Sequence, residues 1–167
     1  GLVSIGAISD TGTVTLTQSN GASFSSTLAA ATLAITDTAD SQAVALTGNV
    51  TLTTGLTTAN GGSDNYNVSL TGGTNSIAGT TTFNQGGTLT LGDGADTTDF
   101  VGGLVATAPS SISAQGTVKA DGGSGVLTLG DSDTGLTVAG NLLVGGTSTG
   151  TISLGDATLA DGVTLTV

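Results

Sequence analysis

Histidine, cysteine and arginine do not occur in these 167 residues, and Lys119 is the only basic side chain. Each gap removes a class of chemistry. Without His or Cys there is no Ser-His-Asp or Cys-His nucleophile system. With Lys119 as the one cationic side chain, an acidic sugar or an oxyanion finds almost no partner. Catalysis would be left to a pair of carboxylates set about 5 to 9 Å apart, and the chain is read as a non-enzyme. A net charge of −11 cannot neutralise phosphates, which excludes nucleic acid and anionic membrane surfaces as partners. The lack of Cys means that the fold stands without disulfides. No apolar run reaches the 18 or so residues of a membrane span; the Ala-rich "TLAAATLAI" at 27–35 is too short, and membrane insertion is not expected.

Glutamate is missing too: all 12 acidic residues are Asp. Asp hydrogen-bonds its own backbone in turns and is a poor helix former, so this bias points to turns and away from helices. Aromatics are only 2% and charged residues 8%, whereas hydrophobic residues reach 37%, enough for a core made of many small, similar layers. What is abundant is Thr, which suits pleated surfaces, and Gly, 29 residues of it, which accepts positive φ in turns. The composition reads as all-β.

The pattern is repetitive. "LTLGD" at 89–93 returns at 127–131 and as "ISLGD" at 152–156. A looser copy, "LAITDTADSQAV" at 33–44, aligns with "LTLGDGADTTDF" at 89–100, pairing Asp37 with Asp93 and Asp40 with Asp96. Second strands follow, such as "VALTGNVTL" from Val44 and "LTVAGNLLV" from Leu136. Within strands the apolar period is 2, as in "TVTLT" at 13–17 and "GVTLTV" at 162–167, so one face packs and the other is wet.

Anchors at Ile5, Ile35, Leu70, Leu91, Leu129 and Leu154 are separated by 30, 35, 21, 38 and 25 residues, inside the range of roughly 20 to 50 expected of solenoids. Direct copies of strand, loop and strand favour a parallel β-solenoid (β-helix) with irregular coil lengths and loop insertions over a sandwich of hairpins. A single domain over 1–167 is expected. Beginning at Gly1 without a leader, the chain reads as a processed protein or a segment of a longer one. Both end segments read as ordinary strands without caps, which makes Leu2, Val3, Ile5, Val163, Leu165 and Val167 the candidate self-association residues.

The recurring "LTLGD" and "ISLGD", the stretch "GTSTGTISLGDATLADGVTLTV" at 146–167 and the Gly/Thr/Ala/Asp composition resemble bacterial β-strand-repeat surface and matrix proteins. These are long tandem-repeat adhesins, similar in style to filamentous-haemagglutinin and autotransporter-passenger β-helices. The resemblance is carried mainly by residues 85–167. It implies an extracellular or cell-surface location and a structural or adhesive role, with other copies of the chain, or a surface polysaccharide, as partner.

Two site readings compete with plain turn chemistry. Asp93, Asp96 and Asp99, with Asp131 and Asp133, offer hard oxygen ligands beside glycines, which makes Ca2+ the candidate cofactor. Neither the EF-hand pattern nor the calcium-binding nonapeptide is present. If Asp37, Asp93, Asp131 and Asp156 stacked in successive coils about 4.8 Å apart, their mutual repulsion would call for counterions. The rows Thr13, Thr15, Thr17 and Thr51, Thr53 raise an ice-binding reading, against which Thr is simply a good polar strand residue.

Overall fold

The computed structural model describes residues 1–60 and 65–167. Among them every regular element is a β-strand, and every pairing is parallel. The first coil runs through β1 (Val3–Ile5), β2 (Ile8–Ser9) and β3 (Thr13–Leu16), one strand on each of three faces. The second is β4 (Ala22–Phe24) and β5 (Leu28–Ile35), and the third β6 (Ala43–Leu46) and β7 (Val50–Thr58). The fourth is β8 (Asn67–Leu70), β9 (Thr74–Ile77) and β10 (Thr81–Thr82), and the fifth β11 (Thr88–Leu91), β12 (Thr97–Phe100) and β13 (Leu104–Ala106). The sixth is β14 (Ser111–Lys119) and β15 (Leu127–Leu129), and the seventh β16 (Leu136–Gly145) and β17 (Ile152–Leu154); β18 (Ala157–Leu159) and β19 (Leu165–Thr166) begin another.

The protein is therefore a parallel β-solenoid of about seven turns. On the first face, Val3, Ala22, Val44, Val68, Leu89, Ile112, Leu136 and Ala157 lie in one line, each paired with the next, so every step along that line is one coil. The steps are unequal, as the sequence suggests, but the anchors read from it mix two faces. Ile5, Leu70 and Leu91 lie on the first face, whereas Ile35, Leu129 and Leu154 lie on the third. That mixing, not a long insertion, produces the widest gaps between anchors.

Alternation sorts the side chains. Inward positions form buried stacks such as Phe24, Leu46, Leu70, Leu91, Ala114 and Val138. A fully buried Leu, Val or Phe contributes about 1.5 to 3 kcal/mol, and an apolar neighbour above and below leaves little void. Phe83 and Phe100 add an edge-to-face contact at 6.2 Å between ring centroids. Long strands turn a corner without stopping: β5 shifts register between Ala30 and Thr32, and β14 between Ala114 and Gly116, so an irregularity carries the chain from one face to the next.

The "LTLGD" motif has a local cause. Gly92 (φ 76°) and Gly130 (φ 83°) end their strands in the left-handed region that favours glycine. A Cβ on Gly92 would sit 2.4 Å from the Gln115 carbonyl oxygen and one on Gly130 2.2 Å from that of Thr134. The motif thus encodes a strand stop, and the same stop serves two different corners: after the first face at Gly92 and after the third at Gly130.

Candidate functional site

The carboxylates are placed by the corners, and the corners disperse them. Asp93 and Asp96 lie between β11 and β12, on the corner from first to second face, whereas Asp37, Asp40, Asp131, Asp133 and Asp156 lie on the corner from third to first. The expected stack of Asp37, Asp93, Asp131 and Asp156 therefore does not form, because Asp93 belongs to another edge of the solenoid. The alignment of the two loops pairs segments with the same local sequence but different stations in the coil. Among the described residues, no three acidic side chains are grouped so as to hold a metal ion.

What the carboxylates do instead is hold backbone. Asp96 Oδ2 accepts the Asp93 N–H at 2.7 Å within its own turn. Asp131 Oδ1 accepts the N–H groups of Asp133 and Thr134, both at 2.9 Å, an Asx turn. Thr134, buried at the same corner, donates its hydroxyl to the carbonyls of Thr107 and Pro109. Asp99 points outward from the second face and accepts the Asp121 N–H of the next coil at 3.0 Å. Lys119 Nζ donates to Asp121 Oδ2. This contact pushes the lysine pKa up and holds the Asp121 carboxyl below the usual carboxylate range, so the only basic side chain serves an internal pair. Asp37 Oδ1 is buried without a hydrogen-bond partner among the described residues; a groove beside it is lined by Gly1, Val3, Gln18, Ser19, Asn20 and Ala39, none of which adds a second carboxylate.

The threonine rows do not extend into a lattice. On the third face the outward line containing Thr15 continues Ala34, Thr57, Thr82, Val105, Thr128, Ser153. The line containing Thr51 runs Ser9, Ala29, Thr51, Ser76, Asp99, Lys119, Gly145 and is crossed by charge. The first face is different. Its central outward line, Ser4, Ser23, Ala45, Ser69, Thr90, Ser113, Thr137, Thr158, is small and uncharged throughout.

The largest departures from a closed, satisfied surface lie at the end coils. Leu2 and Val167 are each 69% exposed, Val3 40% and Leu159 45%, while the inward residues of central coils are buried. Ile5, Ile8, Val14, Ile152, Leu154, Val163 and Leu165 are only partly covered where they pack on the core. Among the described residues, strands β1, β2 and β3 pair on one side only, as do β17, β18 and β19. All six residues expected from the sequence thus fall on the end coils, but Leu2, Val163 and Val167 lie just outside strands β1 and β19 rather than in them. Sequence reasoning missed Ile8, Val14, Ile152, Leu154 and Leu159, because it looked at the chain termini and not at a whole terminal coil. Counting one full circuit of the three faces inward from each end would have found them.

No protein-family model, curated protein or solved structure matches this chain.

Proposed function

We propose that this chain is a structural β-solenoid, a subunit or section of an extracellular fibre, surface layer or biofilm matrix on a bacterial cell, which self-associates through its end coils and carries no enzyme activity. The observation that carries this reading is the partly exposed apolar cross-section at both ends, bordered on all three faces by strand edges with one free side. Such edges template further strand pairing. The resemblance to strand-repeat surface proteins supports the location.

The test is assembly of the purified chain, followed by light scattering at rising concentration and by electron microscopy. Elongated particles are expected, with growth suppressed by Leu165→Pro, which disrupts the last strand, and by Val167→Asp, which leaves the backbone intact. Particles that grow equally well with both variants would remove the end coils from the mechanism.

A second reading is a monomeric adhesin passenger that binds a polysaccharide or another surface. The uncharged hydroxyl line of the first face favours it, since Ser and Thr offer donors and acceptors without the charge carried elsewhere on the chain. A scattering signal proportional to concentration, with polysaccharide binding lost on Ser69→Asp and Ser113→Asp, would support this reading over the first.

A further inference from the structure

We propose that the polysaccharide taken by the first face is a cationic one, a polymer of amino sugars laid along the solenoid axis over the fifth to seventh coils; this rests on the polysaccharide-binding reading given second above. The face itself is neutral. Thr88 and Ser111 stand side by side on one outward line, and Thr90, Ser113 and Thr137 on the next, all five at least partly exposed. The two margins of the face are not neutral. Asp93 and Asp96 occupy the corner by which the chain leaves it, and Asp131, Asp133 and Asp156 the corner by which the chain arrives. Asp93 and Asp133 enter their turns through backbone N–H groups, and both residues are exposed. Lys119, the only basic side chain, lies on the second face and donates to Asp121, so no basic side chain offsets the carboxylates along the margins.

This strip discriminates between three kinds of glycan. An acidic polymer meets carboxylates on both sides and no cation between them. A neutral polymer gains only hydrogen bonds to Ser and Thr, which exchange against bonds to water and leave little net stabilisation. It finds no aromatic ring to stack on either, because Phe24, Tyr66, Phe83 and Phe100 are the only aromatic residues and all four are buried. An amino polymer makes the same hydrogen bonds and adds ammonium groups that reach the carboxylates at the margins, and such charge-assisted bonds are roughly twice as strong as neutral ones. The net charge of −11 also draws a polycation in from a distance. A basic polypeptide would satisfy the charges too, but the strip has no apolar or aromatic centre of the kind around which protein interfaces are built. Its step suits a sugar chain. Coils follow one another about 4.8 Å apart, close to the length of one pyranose residue, so successive rings meet successive outward pairs of small side chains.

The test is fluorescence anisotropy of labelled glucosamine oligomers, of the same oligomers after N-acetylation, and of dextran and an oligolysine of equal charge. The pH is held above the carboxylate range and below the pKa of the sugar amine. The expected result is binding of the amine form alone among the glycans, falling with added salt and weakened a few fold by the double variant Asp93→Asn with Asp133→Asn. Asp10→Asn, on the corner from second to third face, should leave it unchanged, and thermal melts equal to that of the parent would show that the variants fold. Acetylated oligomers or dextran bound as tightly as the amine form would overturn the selection by charge and leave a polysaccharide site standing. Oligolysine bound as tightly would overturn the choice of a sugar polymer, and binding untouched by the double variant would remove it from the first face. Failure to bind any of the glycans overturns the polysaccharide reading along with this one.

Discussion

The carboxylate of Asp99 accepts the backbone N–H of Asp121, one coil further along, at 3.0 Å, and Asp121 in turn accepts that of Thr147 at 2.9 Å. The same vertical bond recurs with amides at other corners: Asn49 to Thr74, Asn67 to Thr88 and Asn141 to Thr164. Parallel ladders satisfy backbone groups within the faces, but corners leave donors free. An acceptor side chain from the preceding coil takes them up and fixes the height of the next turn.

Asn49→Ala and Asn141→Ala should therefore each destabilise the protein by about 1 kcal/mol, the usual net value of one such bond. Urea denaturation checks this, read as a shift in midpoint with an unchanged slope. A midpoint equal to that of the parent chain would show that the corner donors are satisfied by water instead.

Removing calcium should leave the melting temperature where it is. Asp96 and Asp131 already commit carboxylate oxygens to the N–H groups of Asp93 and Asp133, and among the described residues no three acidic side chains gather about a point. Thermal melts with and without a chelator decide the matter. A fall on chelation would restore a metal to the fold.

Tyr66 is the single tyrosine and is fully buried, its hydroxyl donating to the Ala59 carbonyl at 2.6 Å. Burial, the largest cause, pushes its pKa from 10.0 up to about 12. The neutral phenol is thus the form the fold holds, so its contribution is complete below pH 10 and is lost as the pH rises through about 12. Stability should decline over that window in the parent chain and stay flatter in Tyr66→Phe. Phenolate absorbance during alkaline titration reports the ionisation directly.

The Lys119–Asp121 pair has two limbs. The depressed Asp121 pKa gives a contribution present above the ordinary carboxylate range and lost as pH falls through its lowered value. The raised Lys119 pKa gives one present below the ordinary lysine value and lost at higher pH. Both groups are substantially solvent-accessible, so the pair should be weak and salt-sensitive. Lys119→Met should flatten both limbs at low ionic strength and change little at high salt.

Core substitutions should separate centre from ends. Leu91→Ala, in a stack with neighbours above and below, should cost about 2 to 5 kcal/mol. Leu159→Ala, 45% exposed on the last coil, should cost much less in the dispersed chain yet reduce assembly. Equal losses of stability would mean that the last coil is as well covered as the fifth.

Read alone, the residues determined the strand-forming material, the period of 2 in "TVTLT", and the glycine–aspartate turn that ends the strand in "LTLGD". All of these are local: they follow from β-branched side chains, from alternation across a pleat, and from a residue that accepts positive φ. Which of the three faces each strand occupies was decided only by tertiary structure. The stop after Leu91 and the stop after Leu129 are alike in sequence, but one leads from the first face and the other from the third. The difference lies in which earlier strands they pair with, Leu91 with Leu70 and Leu129 with Ala106, each a whole coil back along the chain. That long-range register is what set Asp93 on a different corner from Asp37, Asp131 and Asp156, while the three-faced path of a single coil is what brought Val3, Ile8 and Val14 together at one end.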